Sequence, residues 1–118
     1  MRPLTAVPLL LALALPASAD DAITAAVLAC EALGELSRSM VDFRYSGIPR
    51  ELVEGHIAKA DPNIHAPLTA DLVWRAYRLP DTESPIARAR FRNATAAGVV
   101  SECLPRLSAA ITESRREK

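Results

Sequence analysis

The chain has 118 residues, half of them hydrophobic, and its 14 basic and 14 acidic residues give a formal net charge of zero at pH 7. This length predicts a single domain with one small core. A neutral chain lacks the excess of positive charge that nucleic-acid binding requires, so a nucleic-acid partner is not expected.

The first residues have the pattern of a signal peptide. Arg2 gives a positive start, and the apolar run over residues 4–15 is shorter than a typical transmembrane helix. Small side chains then stand two positions apart, the second being Ala19, as signal peptidase requires. We predict a cleaved signal peptide over 1–19 and an exported domain over 20–118 that does not span the membrane. An uncleaved N-terminal anchor is the alternative.

The basic residues bear on the compartment. All of them are arginine except Lys59 and Lys118, and alanine is abundant. This composition is typical of proteins from GC-rich bacterial genomes. Together with the signal peptide it predicts a periplasmic or secreted protein.

The two cysteines, Cys30 and Cys103, are expected to form a disulfide, because two thiols in one small exported domain admit a single pairing. Closing a loop of this length would stabilise the fold by about 4 kcal/mol. Two buried free thiols are the alternative. The spacing is unlike C-x-x-C and no further ligand stands nearby, so neither redox catalysis nor metal binding is predicted.

The region from Asp21 to Phe43 has the strongest periodic signal. Its larger apolar residues recur at steps of three and four: Ile23, Val27, Cys30, Leu33, Leu36, Met40 and Phe43. This spacing predicts a first helix with one apolar stripe. Gly47 predicts the end of that helix, and Gly34 within the stripe predicts the close approach of another helix.

Two shorter helices are predicted next. Pro49 suits the first position of the second helix, which should end before the break at 61–63. The third helix is predicted over 67–79, and Pro80 ends it. The second helix is expected to face Leu52, Val53 and Ile57 inward. The apolar residues that the third helix carries are Leu68, Leu72, Val73, Trp74, Ala76 and Tyr77.

Ser84 followed by Pro85 predicts the N-cap and first position of a fourth helix that runs to about Cys103. Pro105 is expected to break or kink it, because proline lacks an amide donor and collides with the preceding turn. A short helical tail should follow, fraying from about residue 113.

These elements predict an all-α fold: a small antiparallel bundle of four main helices plus a C-terminal helical tail. A disulfide between the first and fourth helices requires their Cβ atoms to lie close together, which antiparallel packing of the two long helices satisfies. The tail would then lie beside Ile23 and Val27. The second and third helices would cover the other end.

Residues that carry catalysis or metal binding in other proteins are scattered here. His56 and His65 lie on different elements without a matching carboxylate, which predicts no metal site. Glu31 and Glu35 stand one turn apart, where a solvated helix face is expected rather than an acid–base pair. No spacing of serine, histidine and aspartate indicates a triad. We predict no catalytic residue and no cofactor.

Two groups of side chains are candidates for binding. Arg88 and Arg92 share one helical face while Arg90 points elsewhere, and a solvated, salt-bridged face is the common role of such residues. Trp74 and Tyr77 stand one turn apart and form either a ledge for a partner or part of the core, which is the more common role. The candidate binding surface is therefore Trp74, Tyr77, Arg88 and Arg92.

Several landmarks resemble a group of uncharacterised small exported two-cysteine proteins of proteobacteria. They are Cys30, Met40, Gly47, Ala76-Tyr77, Pro80, Phe91-Arg92-Asn93 and Cys103. The resemblance implies a helical fold and export but no activity. More distantly, the size, helicity and single disulfide are similar to those of periplasmic acid-stress chaperones, and of helical immunity proteins that neutralise secreted cell-wall hydrolases.

The absence of converging catalytic groups and the expected export favour a non-enzymatic protein that binds another protein in the periplasm, in a chaperone-like or inhibitor-like way. The binding surface would come from the second and third helices. A small-ligand carrier or an enzyme with an unrecognised pocket is one alternative, and a structural protein of the envelope is another. No oligomeric state is predicted.

Overall fold

The computed structural model describes residues 19–60 and 66–116, and within these ranges every regular element is a helix. The helices are α1 (Ala19–Tyr45), α2 (Arg50–Ala60), α3 (Ala66–Tyr77) and α4 (Pro85–Arg116). The predicted all-α class is therefore confirmed. Residues 1–18, which contain most of the predicted signal peptide, lie outside the described part. None of the helices described is both long and apolar enough to cross a membrane.

The two long helices, α1 and α4, form the main packing unit of the molecule. Three contacts join them in order: Cys30 with Cys103, Gly34 with Val100, and Asp42 with Arg92. As the residue number increases along α1, the number of the contacting residue on α4 decreases, so the two helices run in opposite directions. The predicted disulfide is confirmed, with its Cα atoms 5.6 Å apart.

Gly34 marks the closest approach of α1 and α4. A Cβ atom added at this position would lie 2.7 Å from Cγ2 of Val100, closer than side-chain carbons come to one another. The buried Cys30 stands one turn before it on the same face. Small side chains thus let the helix axes approach, and the expectation drawn from Gly34 is confirmed.

The core lies where α3 packs on the C-terminal half of α1 and α2 packs on α3. Its buried members are Met40, Val41, Val53, Leu72, Val73, Ala76 and Val99. They come from all four helices, so no helix buries its apolar face alone. Burial of these side chains is the main force that holds the two short helices against the long pair.

The ends of the helices follow the predicted capping rules. Gly47 has a φ of 82°, and the amides of Gly47 and Ile48 donate to the carbonyls of Arg44 and Phe43, which is a Schellman motif. At the start of α4, the Ser84 hydroxyl accepts a hydrogen bond from the Ala87 amide at 3.2 Å. Both helix boundaries are therefore encoded locally.

The helix break expected at Pro105 is absent, because α4 continues without interruption to Arg116. The proline removes one hydrogen bond, the one that the carbonyl of Ser101 would accept. Both Ser101 and Pro105 are exposed, so water can satisfy that carbonyl. A proline on the solvent side of a long, well-packed helix therefore does not end it.

The segment that joins α3 to α4 is held by side chains from α1 and α4, through four hydrogen bonds. Arg44 donates to the Leu79 carbonyl (3.2 Å) and to Asp81 Oδ1 (2.6 Å), Tyr45 to the Pro80 carbonyl (3.0 Å), and Arg88 Nε to the Thr82 carbonyl (2.6 Å). We call this region, together with Tyr77 and the turn 46–49, the tyrosine end. The opposite region, residues 19–34 of α1 with 100–116 of α4, is the disulfide end.

Candidate functional site

Trp74 lies on the solvent-facing side of α3. The buried residues of this helix recur at helical spacing: Thr69, Leu72, Val73 and Ala76. With 3.6 residues per turn, Trp74 points away from that face, and 47% of its surface is exposed. Large aromatic side chains are enriched at protein–protein interfaces. An exposed tryptophan in a protein with so small a core is therefore typical of a partner-binding surface.

The guanidinium of Arg78 stacks on the indole of Trp74. Its Cζ atom lies 4.1 Å from the ring centroid, within the range of cation–π attraction. Among the residues described, no carboxylate lies within 4 Å of this guanidinium. The stacking contact therefore orients both side chains, and the N–H donors of the Arg78 guanidinium remain available to bind a group of another molecule.

Arg75, which neighbours Trp74 in sequence, is used differently. Its Nε donates to Asp71 Oδ2 at 2.9 Å, and its Nη2 donates to Glu102 on α4. The hydrogen bond from Arg75 lowers the pKa of Glu102, and the same bond raises the pKa of Arg75. Arg75 thus ties α3 to α4 and fixes the helix that presents Trp74.

A shallow groove of about 360 Å³ runs between the end of α3 and α4. Arg75 and Arg78 stand on its α3 side, and it is lined further by Leu79, Pro80, Ala94, Thr95 and Gly98. The α4 side consists of small residues. The groove is therefore open to a narrow segment of another molecule that passes beside the stacked Arg78.

Tyr77 faces the interior instead of joining Trp74 at the surface. Its hydroxyl donates to the Ile48 carbonyl at 2.6 Å, and its ring packs on the core. Burial raises the pKa of Tyr77, an effect that the charge of Arg44 partly offsets. Of the two aromatic candidates, one is thus structural and the other is exposed.

Arg88 and Arg92 are also used inside the molecule. Arg88 holds the Thr82 carbonyl, and its Cζ lies 5.2 Å from the ring centroid of Tyr45. Arg92 Nε donates to Asp42 Oδ1 at 2.8 Å. Both guanidiniums point toward α1 or the segment before α4, so the structure does not bring them together with Trp74.

The remaining polar candidates do not converge. His56 is exposed and lines an apolar groove of about 380 Å³ with Phe43 and Leu52, and His65 lies outside the described residues. Glu31 is exposed, and Glu35 pairs with Arg38. Within the described ranges, no group of three or more His, Cys, Asp or Glu side chains could hold a metal ion.

Ser37 has a buried hydroxyl, and a serine hydroxyl can act as a nucleophile. Ser37 is 1% exposed, and its Oγ has no hydrogen-bond partner. A serine nucleophile needs a base within hydrogen-bond distance and access to substrate. Ser37 has neither in the part of the chain described, so it belongs to the packing of α1.

Sequence reasoning did not single out Arg78 or Tyr45. Arg78 follows Trp74 by four positions, the spacing at which helical side chains stack, so that spacing was the available signal. Tyr45 has no such local signal, because its partners Pro80 and Arg88 lie far along the chain.

Comparison with known proteins found no matching family, no matching curated protein and no matching solved structure.

Proposed function

We propose that the protein is an exported, non-enzymatic helical protein that binds another protein through a surface centred on Trp74 and Arg78. One observation carries this proposal: the exposed indole lies opposite the buried face of α3 and stacks with a guanidinium that has no carboxylate partner among the described residues. Tryptophan and arginine are the side chains that most often dominate binding energy at protein interfaces.

The chemistry of this surface indicates what the partner presents. An indole face requires an apolar contact, and a free guanidinium prefers a carboxylate, which it can bind through two parallel hydrogen bonds. Arg75 already has two carboxylate partners, so Arg78 is the side chain left for recognition. The partner is expected to carry an acidic side chain next to an apolar one, on a segment narrow enough for the groove beside α4.

The disulfide supports placing this binding outside the cytoplasm, because such bonds persist in oxidising compartments. Among these compartments the arginine-rich composition favours the bacterial periplasm. The exposed state of Trp74 in the folded protein favours an inhibitor-like mode over a chaperone-like one. A surface that is already presented needs no acid-induced opening, so one partner should be held at fixed stoichiometry.

Site-specific photocrosslinking in the cells that export the protein tests this proposal. A benzophenone amino acid replaces Trp74 in one variant and Ile86 in the control, since Ile86 is an apolar residue of α4 that is 69% exposed. We expect one adduct of defined mass from position 74, its loss when Arg78→Glu is added, and no such adduct from position 86. Absence of the adduct, or the same adducts from both positions, would overturn the proposal.

Fluorescence then measures the interaction directly, because Trp74 is the only tryptophan in the chain. Emission from the free protein should be that of a hydrated indole, and the identified partner should shift it to shorter wavelength. We expect Trp74→Ala to weaken binding about 30-fold, as for an interface hot spot worth about 2 kcal/mol. Arg90→Ala, which removes an exposed arginine of α4, serves as the matched control and should leave affinity unchanged.

A further inference from the structure

A groove of about 520 Å³ runs between α3 and the packed pair of α1 and α4. Its large apolar side chains come from all three helices: Leu33, Leu68, Leu72, Val99 and Leu107. Leu68 is 39% exposed, and Ala29 and Ala32 of its α1 wall are exposed as well, so the groove opens to solvent in the part of the chain described. Its volume lies in the range of pockets that bind small organic molecules.

The charged side chains that line the groove come from α3 and α4, and most of them are paired. Arg75 donates to both Asp71 and Glu102. Arg106, one turn after Glu102, has no carboxylate within 4 Å among the described residues. The pKa of Glu102 is lowered mainly by its hydrogen bond from Arg75, and the charge of Arg106 is the smallest cause. The Arg106 guanidinium is therefore the group in this set that can bind an added anion.

These pairings favour an anionic ligand over a cationic one. An added carboxylate can accept hydrogen bonds from Arg106 while every existing ion pair stays in place. An added cation would instead compete with Arg75 for Asp71 or Glu102. The leucines and Val99 in turn favour a ligand whose body is hydrocarbon, because its burial removes apolar surface from water.

The backbone of the groove walls bears on what kind of apolar group can bind. Residues 29–33 of α1 and 99–107 of α4 lie inside long helices, where the backbone amides and carbonyls bond mainly to one another. An extended peptide in the groove would bury backbone groups without partners, which is costly. A hydrocarbon chain has no such groups to satisfy, so it suits these walls better than a peptide does.

We propose that this groove binds a free single-chain amphiphile with a carboxylate head, which is a fatty acid anion. The carboxylate binds Arg106, and the hydrocarbon chain lies on the apolar side chains of the groove. From Val99 to Leu107 these side chains extend about 12 Å along α4, since a helix rises 1.5 Å per residue. Binding of this ligand is a second activity, separate from the Trp74 surface, although Arg75 lines both grooves.

Isothermal titration calorimetry of the oxidised protein with monomeric laurate, octanoate and dodecyltrimethylammonium tests the proposal. Burial of each methylene group strengthens binding about fourfold, so laurate should bind more than about tenfold more tightly than octanoate. Dodecyltrimethylammonium, a cation with the same chain length as laurate, should bind about fivefold more weakly than laurate. No binding of laurate as a monomer, or equal affinities for any two of these ligands, would overturn the proposal.

Two substitutions then locate the site. Ala29→Phe places a large side chain in the groove and should weaken laurate binding by more than about tenfold, whereas Ala97→Phe, at an exposed alanine of α4 outside the groove, should leave it unchanged. Arg106→Gln should weaken laurate binding about fivefold and remove the preference over the cation. Arg90→Gln, which removes an exposed arginine of α4 outside the groove, is its matched control. Circular dichroism and urea unfolding check that each variant is folded.

Other occupants of the groove would give different results. If vesicles of anionic phospholipid bind the protein while monomeric laurate does not, the groove contacts a bilayer surface and the proposal is wrong. If Ala29→Phe binds laurate as tightly as the unaltered protein, the fatty acid binds elsewhere and the proposal is equally wrong. Trp74→Ala should leave laurate affinity unchanged, so a failure of this proposal can be told apart from a failure of the proposed protein-binding function.

Discussion

The disulfide end and the tyrosine end hold the same two long helices together by different means. At the disulfide end, α1 and α4 are joined by one covalent bond and by close contact at Gly34. At the tyrosine end, side chains of α1, α3 and α4 donate hydrogen bonds to backbone carbonyls of the turns. The first region uses small residues and the second uses large ones.

The difference follows from where the chain turns. Inside a helix the backbone groups satisfy one another, so two continuous helices need only a complementary surface and, here, a cross-link. Where helices end, carbonyl groups lose their partners. Tyr45, Tyr77, Arg44 and Arg88 supply donors at those places. The contrast predicts which substitutions damage each end and by how much.

The largest effect is expected from removing the cross-link. Replacing both cysteines, Cys30→Ala with Cys103→Ala, should lower the free energy of unfolding by about 4 kcal/mol, because the unfolded chain regains the freedom of a 73-residue loop. Urea unfolding followed by circular dichroism measures this. Hydrogen exchange should show residues 19–29 opening before the tyrosine end. A loss below about 1 kcal/mol would mean that packing alone holds the pair.

The next largest effect on stability is expected from removing the tyrosine hydroxyls, and it should differ between Tyr77 and Tyr45. Tyr77→Phe should lower the free energy of unfolding by about 1–2 kcal/mol, because the partly buried Ile48 carbonyl loses its donor. Tyr45→Phe should cost less, about 0.5 kcal/mol, since water can reach the Pro80 carbonyl. Equal losses in urea unfolding would show that burial does not distinguish the two bonds.

The same tyrosines predict the behaviour at alkaline pH. Burial raises the pKa of both Tyr77 and Tyr45 in the folded state above the unfolded value of about 10. Their contribution to stability is therefore complete below pH 10 and is lost as the pH rises through the folded pKa values. Stability of the Tyr77→Phe variant should fall less steeply above pH 10 than that of the unaltered protein.

A glycine comparison tests the close contact at the disulfide end. Gly34→Ala should lower the free energy of unfolding by about 1 kcal/mol, because the clash with Val100 exceeds the gain in helix propensity. Gly55→Ala is the matched control in α2, with open space around it, and should stabilise the fold by up to about 1 kcal/mol. Val100→Ala should rescue the first variant. If both alanines stabilise, the helices are not in close contact.

The smallest effect concerns the ion pair that ties α3 to α4. The hydrogen bond from Arg75 lowers the folded-state pKa of Glu102 below the unfolded value of about 4.3. This contribution is present above that value and is lost as the pH falls through the folded pKa. Glu102→Gln should therefore slightly flatten the stability profile at acidic pH, measured by urea unfolding over a series of pH values. Because Glu102 is exposed, salt should weaken the effect.

The locally encoded features could be predicted residue by residue. The apolar stripe of α1, the glycine that ends it and the serine that caps α4 each depend on neighbours within a few positions. The disulfide followed from having only two cysteines in an expected oxidising compartment. The helix break predicted at Pro105 does not occur, since a long helix tolerates one missing hydrogen bond on its exposed side.

The candidate site was predicted only in part. Trp74 and Tyr77 were placed on one surface because they stand one turn apart. The structure separates them, since Tyr77 reaches the turn after α1 while Trp74 lies beyond the edge of the core. Arg88 donates to the Thr82 carbonyl in the segment before α4, and Arg92 donates to Asp42 on α1, which lies 50 residues earlier in the sequence. No local rule shows such partners.

By itself the sequence determined the helices, their caps and the cross-link, because hydrogen bonds within four residues and the pairing of two thiols set these features. The tertiary structure decided which polar and aromatic side chains are used internally and which stay exposed. That outcome depends on which elements lie within reach of each side chain, as the Tyr77 bond to Ile48 and the stacked Trp74 and Arg78 illustrate. Contacts between distant parts of the chain exist only after the helices have packed.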